Sequence, residues 1–122
     1  MRELRERSRK IRDDMPSMQQ ALDYIDKNYS EQIDVVRAAE MSGYEKTRFC
    51  QLFKRAVGVS FHKYLNDRRI DAAKELLSGS ELPIQTIGEE TGFPEPKTFS
   101  RVFRTAGNMT PSEYRQLYSQ NK

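Results

Sequence analysis

The chain spells one pattern twice, and a duplicated pattern restricts its fold more than any composition does. At an offset of 49, Val35, Ala38, Ala39, Gly43 and Tyr44 correspond to Ile84, Ile87, Gly88, Gly92 and Phe93. After one inserted residue the offset is 50, where Phe49, Leu52, Phe53, Lys54 and Tyr64 correspond to Phe99, Val102, Phe103, Arg104 and Tyr114. Each copy reads as a short helix, a glycine followed by an aromatic residue, and a second helix with a paired apolar face.

In the first copy Asp34 is placed to cap a helix through Val35, Ala38, Ala39 and Met41. Gly43 suits the left-handed turn that ends it, and Tyr44 is expected to fold back into the core. The next helix buries Phe49, Leu52 and Phe53 and leaves Lys46, Thr47, Cys50 and Gln51 around its other side. Small Ala39 lets the two helices cross closely, which is how a helix-turn-helix is built. The second copy repeats the scheme with Ile84, Ile87 and Gly88, the turn at Gly92, and Pro96 at the first helical position, where a missing N–H costs nothing. Phe99, Val102 and Phe103 point inward, leaving Lys97, Ser100 and Arg101 as a polar face of short or positive groups.

Other helices surround these units. One is expected from Ser17 to Tyr29, with Ser17 and Gln20 as a capping box and Ala21, Leu22, Ile25 and Tyr29 as its apolar stripe. The segment SFHKYLNDRRIDAAKELLSG reads as a long helix capped by Ser60, buried through Phe61, Tyr64, Leu65, Ala72, Ala73, Leu76 and Leu77, and ended by Gly79. At 1.5 Å per residue its roughly 17 residues span ~25 Å. Thr110, Pro111 and Glu113 form a second capping box, and Tyr114 and Leu117 are expected to tie the last helix down. The fold expected is all-α, about seven helices, with two helix-turn-helix subdomains joined by a long central helix. The expected boundaries are a basic leader or interdomain tether at 1–14, a first subdomain at 15–59, a linking helix at 60–78 and a second subdomain at 79–122.

Composition narrows the chemistry. One cysteine and one histidine allow neither an internal disulfide framework nor a histidine-rich metal cluster, and His62 has no hydrolase motif around it. An enzyme is disfavoured, and neither cofactor nor metal is expected. No apolar run nears the roughly 18 residues of a membrane span, and no apolar stretch follows the basic leader as in a secretory signal. A cytoplasmic protein is expected. The net charge of +3 permits a polyanionic partner without requiring one.

IQTIGEETGF, FSRVFR and TPSEYR in the second half, with QLFKRAVGVSFHKYLNDRRIDAAKELL in the first, resemble the DNA-binding domain of the AraC/XylS family of bacterial transcription regulators. The resemblance covers about residues 17–118. It implies two reading helices entering successive major grooves of double-stranded promoter DNA, regulating transcription and commonly activating it through RNA polymerase. It also implies a separate sensory or dimerisation domain, and association with the nucleoid when bound. By position in the motif, the base-reading sites fall on Thr47, Cys50 and Gln51, with Lys46 and Arg48 beside them. In the second unit they fall on Lys97, Ser100 and Arg101, flanked by Pro96 and Thr98. Four positions depart from the family's habit. Gly88 stands where alanine is usual, Asn108 where glycine is usual, and Glu45 and Glu95 where serine or aspartate is commoner.

Arg101 is suited to a bidentate contact with guanine, and Gln51 to adenine or a phosphate. Lys46 and Lys97 fit backbone charge, while Lys54, Arg55 and Arg104, beyond the reading stripes, fit phosphate contacts or helix-end charge. Cys50 has two readings, partial burial beside Phe49, Leu52 and Phe53 or an apolar contact to a thymine methyl. Two other functions stay open from the residues alone: a helical protein-interaction module, and architectural DNA binding with little sequence preference.

Overall fold

Seven helices run through the residues described by the computed structural model, 16–119: α1 (Pro16–Asn28), α2 (Val35–Met41), α3 (Lys46–Val57), α4 (Phe61–Gly79), α5 (Ile84–Glu90), α6 (Pro96–Gly107) and α7 (Pro111–Tyr118). The all-α, tandem helix-turn-helix arrangement joined by a central helix is present. No helix among these residues is long and apolar enough to cross a membrane. The leader at 1–14 lies outside the described residues, as does the Ser17 side chain of the expected first capping box.

Two compact units divide the helices. The first takes α1, then Ile33–Tyr64, and the second takes Tyr29–Gln32 together with the chain from Leu65 onward. Within the first unit Met18, Ala21 and Ile25 of α1, Ala38 and Ala39 of α2, and Phe49 and Phe53 of α3 are all buried. Phe49, Phe53 and Phe61 form a triangle of rings with centroids 5.7–5.9 Å apart, the separation at which tilted and edge-on aromatic pairs attract. The Tyr64 hydroxyl donates to Asp26 Oδ1 at 3.2 Å, fixing the first turn of α4 against α1.

The second unit closes around Ile70, Ala73, Leu77, Ile87, Phe93, Phe99 and Phe103, with Leu76, Ile84, Val102, Met109 and Tyr114 packed on that cluster. Arg115 of α7 donates from Nε to Leu77 O at 3.1 Å and from its terminal nitrogen to Ser80 O at 3.3 Å. Those bonds engage the Arg115 guanidinium within its own unit. They also satisfy carbonyls at the end of α4, where helices leave acceptors unpaired.

The two turns match bond for bond. Tyr44 N–H donates to Ala39 O at 3.0 Å and Phe93 N–H to Gly88 O at 2.7 Å, while Gly43 and Gly92 adopt φ of +80° and +106°. The Ser42 hydroxyl returns to Ala38 O at 3.0 Å and the Thr91 hydroxyl to Ile87 O at 2.7 Å, so both buried hydroxyls are paired within their own helix. Asp34 caps α2 through Val36 N–H at 2.9 Å, and Ser60 caps α4 through Lys63 N–H at 3.2 Å, as expected. Asn108 takes the left-handed conformation at φ +59°, while Gly107 stays helical and has no share in that turn.

Two expected apolar anchors stand elsewhere. Leu117 is 65% exposed and does not hold its helix, whereas α2 runs through Met41 as expected with that side chain exposed. The last helix is held by buried Pro111 and by Tyr114, whose ring meets Phe103 at 5.6 Å. α1 begins at Pro16 and ends at Asn28, leaving Tyr29 beyond it in the second unit.

The capping box of α7 is complete. Thr110 N–H donates to Glu113 Oε1 at 2.8 Å, and Glu113 N–H to Thr110 Oγ1 at 3.1 Å. Hydrogen bonds from the Thr110 backbone and then its hydroxyl hold the Glu113 carboxyl below the usual glutamate range, with Arg104 adding in the same direction. A depressed folded pKa contributes stability that is present above the unfolded value, about 4.3, and lost as pH falls through the folded value. Urea midpoints recorded from neutral pH into this acid range should therefore fall less steeply in Glu113→Gln, which keeps the cap geometry but cannot titrate. Parallel curves for the two proteins would exclude the carboxylate as a contributor.

Candidate nucleic-acid interface

Each second helix of the repeat divides cleanly between an inner and an outer side. On α3, Phe49, Leu52 and Phe53 are buried while Lys46, Thr47, Arg48, Gln51, Lys54 and Arg55 are exposed. On α6, Phe99 and Phe103 are buried while Pro96, Lys97, Ser100, Arg101 and Arg104 are exposed. Thr47, Cys50, Gln51 and Lys54 follow i, i+3, i+4, i+7 spacing and so share one stripe. Lys97, Ser100, Arg101 and Arg104 form the same stripe at an offset of 50. Cys50 and Thr98 are half-buried at the edges of these faces, and Cys50 is a free thiol.

The charge is concentrated here. α3 carries Lys46, Arg48, Lys54 and Arg55, and α6 carries Lys97, Arg101 and Arg104, with no acidic residue in either helix. No other helix among the described residues has more than one net positive charge. A chain of net charge +3 thus places seven basic groups on two helices. Lys54, Arg55 and Arg104 also occupy last turns, where cations are favoured by the helix dipole.

The two helices start differently. Glu45 caps α3 by accepting from Arg48 N–H at 3.1 Å, although glutamate is a poor capping residue. Glu95 makes no such bond at α6, where Pro96 removes one amide that would otherwise need a partner. Gly88 is required by crossing distance: a Cβ there would lie 2.9 Å from Phe99 Cδ2 and 3.3 Å from Phe93 O. The replacement of alanine at this position therefore follows from how closely Phe99 approaches.

In the second unit Thr98 and Arg101 line a cleft of about 380 Å³ with Asn66, Arg69 and Glu95. Neither Asn66 nor Arg69 stands out in the sequence as lining such a cleft. Both sit on α4 within a polar NDRRID string, and only a fold that brings Gly92–Glu95 beside that string reveals them.

The helix-turn-helix domain family matches residues 38–117, most of the chain. The regulatory protein PocR of Salmonella typhimurium is 36% identical over 107 residues, covering 85% of this chain and 34% of PocR. The arabinose operon regulatory protein of Escherichia coli is 33% identical over 99 residues, covering 80% and 34%. The chain thus spans about a third of the length of these curated relatives. Among solved structures, the C-terminal domain of AraT, a response regulator from Geobacillus stearothermophilus, superposes with a TM-score of 0.83 at 30% identity, covering 88% of this chain and 89% of that one. The duplicated fold, the two basic helix faces and these relatives together establish that the chain belongs to the helix-turn-helix domain family, as an AraC/XylS-like DNA-binding domain.

Proposed function

We propose that this domain recognises a specific double-stranded promoter sequence, with α3 and α6 each entering a major groove, the two grooves being successive. The observation that carries this reading is the placement of seven basic and no acidic residues on those two helices, opposite their buried aromatic sides. An α-helix fits the B-DNA major groove, where each base pair presents a distinct set of donors, acceptors and methyl groups. Thr47, Cys50 and Gln51 read one half-site, with Cys50 offering its partly exposed sulfur to a thymine methyl. Ser100 and Arg101 read the other. Lys46, Arg48 and Lys97 hold the backbone near each reading stripe, Pro96 and Thr98 flank the second, and Lys54, Arg55 and Arg104 meet phosphates.

In a protein as long as its relatives, the domain would be joined to a sensory or dimerisation domain and would activate transcription by engaging RNA polymerase on the bacterial chromosome. Selection of bound duplexes from a random pool tests the DNA reading. Two short fixed blocks about one helical turn, roughly 10 base pairs, apart are expected. A pool that binds without enrichment of any sequence contradicts it. Lys97→Ala should weaken binding on all sequences alike and reduce the slope of log affinity against log salt by about 1; an unchanged slope would remove Lys97 from the phosphate contacts.

A further inference from the structure

Among the described residues Arg69 is the charged side chain drawn furthest inward, only 8% exposed. Its Nε–H donates to Tyr29 O at 2.6 Å and its terminal nitrogen to Glu31 O at 2.8 Å, both carbonyls in the segment that follows α1. The guanidinium carbon lies 5.6 Å from the centre of the Phe93 ring. Phe93 in turn stacks on Phe99 at 5.4 Å with the planes 26° apart, and Phe99 is the first buried residue of α6. Gly92 completes the arrangement: a Cβ there would stand 2.5 Å from Arg69 Nε and 2.8 Å from Tyr29 O. Gln32 reaches the same glycine, donating to its carbonyl at 3.5 Å. The fork therefore fills the space beside the turn and clamps it against the segment that holds Tyr29 and Glu31.

A buried cation is seldom the most stabilising choice for such a place, since desolvation opposes it and an apolar side chain of similar volume often does as well. Burial accordingly lowers the Arg69 pKa from the usual guanidinium value. What a planar fork adds is geometry, because two fixed N–H vectors and a flat face define position and tilt at once.

We propose that Arg69 is a positioning residue for the second reading helix: by fixing the Gly92–Phe93 turn it sets where α6 starts, and so which bases meet Ser100 and Arg101. This rests on the two-helix reading above. A recognition contact needs its side chain held within about half an ångström, so loosening the turn should degrade base discrimination before it abolishes binding.

The test measures the affinity of the 122-residue chain for three duplexes: the sequence recovered by selection, the same with the first half-site scrambled, and the same with the second scrambled. Arg69→Met keeps the apolar stem and removes the fork. Its preference for the intact over the second-scrambled duplex should shrink by about tenfold, one good base contact's worth, while its preference over the first-scrambled duplex is retained. Circular dichroism at the assay temperature confirms that the variant is folded. Where it is not, Arg69→Lys, which keeps charge and stem but reaches one carbonyl at a time, should show the same one-sided loss in smaller measure. Equal shrinkage for both half-sites, or none in the folded variant, overturns the positioning role and leaves Arg69 a stabilising residue only. A wild-type chain indifferent to scrambling either half-site overturns the two-helix reading itself.

Discussion

Gly92→Ala should cost roughly 2–5 kcal/mol of folding stability, against about 1–2 kcal/mol for Gly43→Ala at the equivalent turn. Both glycines hold positive φ, +106° and +80°, where an L side chain is strained. Only Gly92 is also enclosed: its missing Cβ would press on Arg69 Nε at 2.5 Å, Tyr29 O at 2.8 Å and Arg69 Cδ at 3.0 Å, whereas nothing lies within 4 Å at Gly43. The backbone penalty is common to the two positions, so the difference isolates the crowding around the Arg69 clamp. In a domain of this size each kilocalorie moves the melting midpoint by about 4 °C, which thermal scans of the two variants resolve easily. Equal midpoints would mean that the clamp yields freely and that the turn is held by φ alone.

Arg101→Ala should relax the preferred DNA sequence at one base pair rather than weaken binding evenly. A bidentate guanidinium–guanine contact discriminates by about 1–3 kcal/mol, roughly 5- to 150-fold in relative affinity. Arg101 is exposed on α6, one turn past Lys97 and one residue past Ser100, on the same stripe. Its competing fate is a phosphate contact, which carries no sequence information. Titration against the selected duplex and its single-base variants separates the two outcomes: base reading flattens the preference at one position, whereas phosphate contact lowers affinity by the same factor throughout.

How much of this could be read from residues follows the range of each interaction. The duplicated unit is legible as a recurring residue pattern; Asp34 and Ser60 as caps, the left-handed turns at Gly43 and Gly92, Pro96 at a helix start and the Thr110–Glu113 box are legible because each is decided within four or five residues along the chain. The outward stripes of α3 and α6 were equally accessible, being complements of aromatic stripes with clear helical spacing. Arg69 was not. In NDRRID its charge argues for solvent, and its burial is decided by carbonyls 38 and 40 positions away. Leu117 fails in the opposite sense, since α7 reaches the core through Pro111 and Tyr114 and leaves the leucine outside. Ser42 and Thr91 correspond at the repeat's offset of 49, yet their shared return bonds to the preceding turn become visible only once both helices are built.

Two separate helices that each read their own block of one DNA site must lose those blocks independently. The selection repeated with wild type, Gln51→Ala and Arg101→Ala decides it. Gln51→Ala should lose base preference in one block alone and Arg101→Ala in the other alone, with the remaining block unchanged in each. Loss in the same block for both variants, or a uniform loss across the whole site, would contradict it.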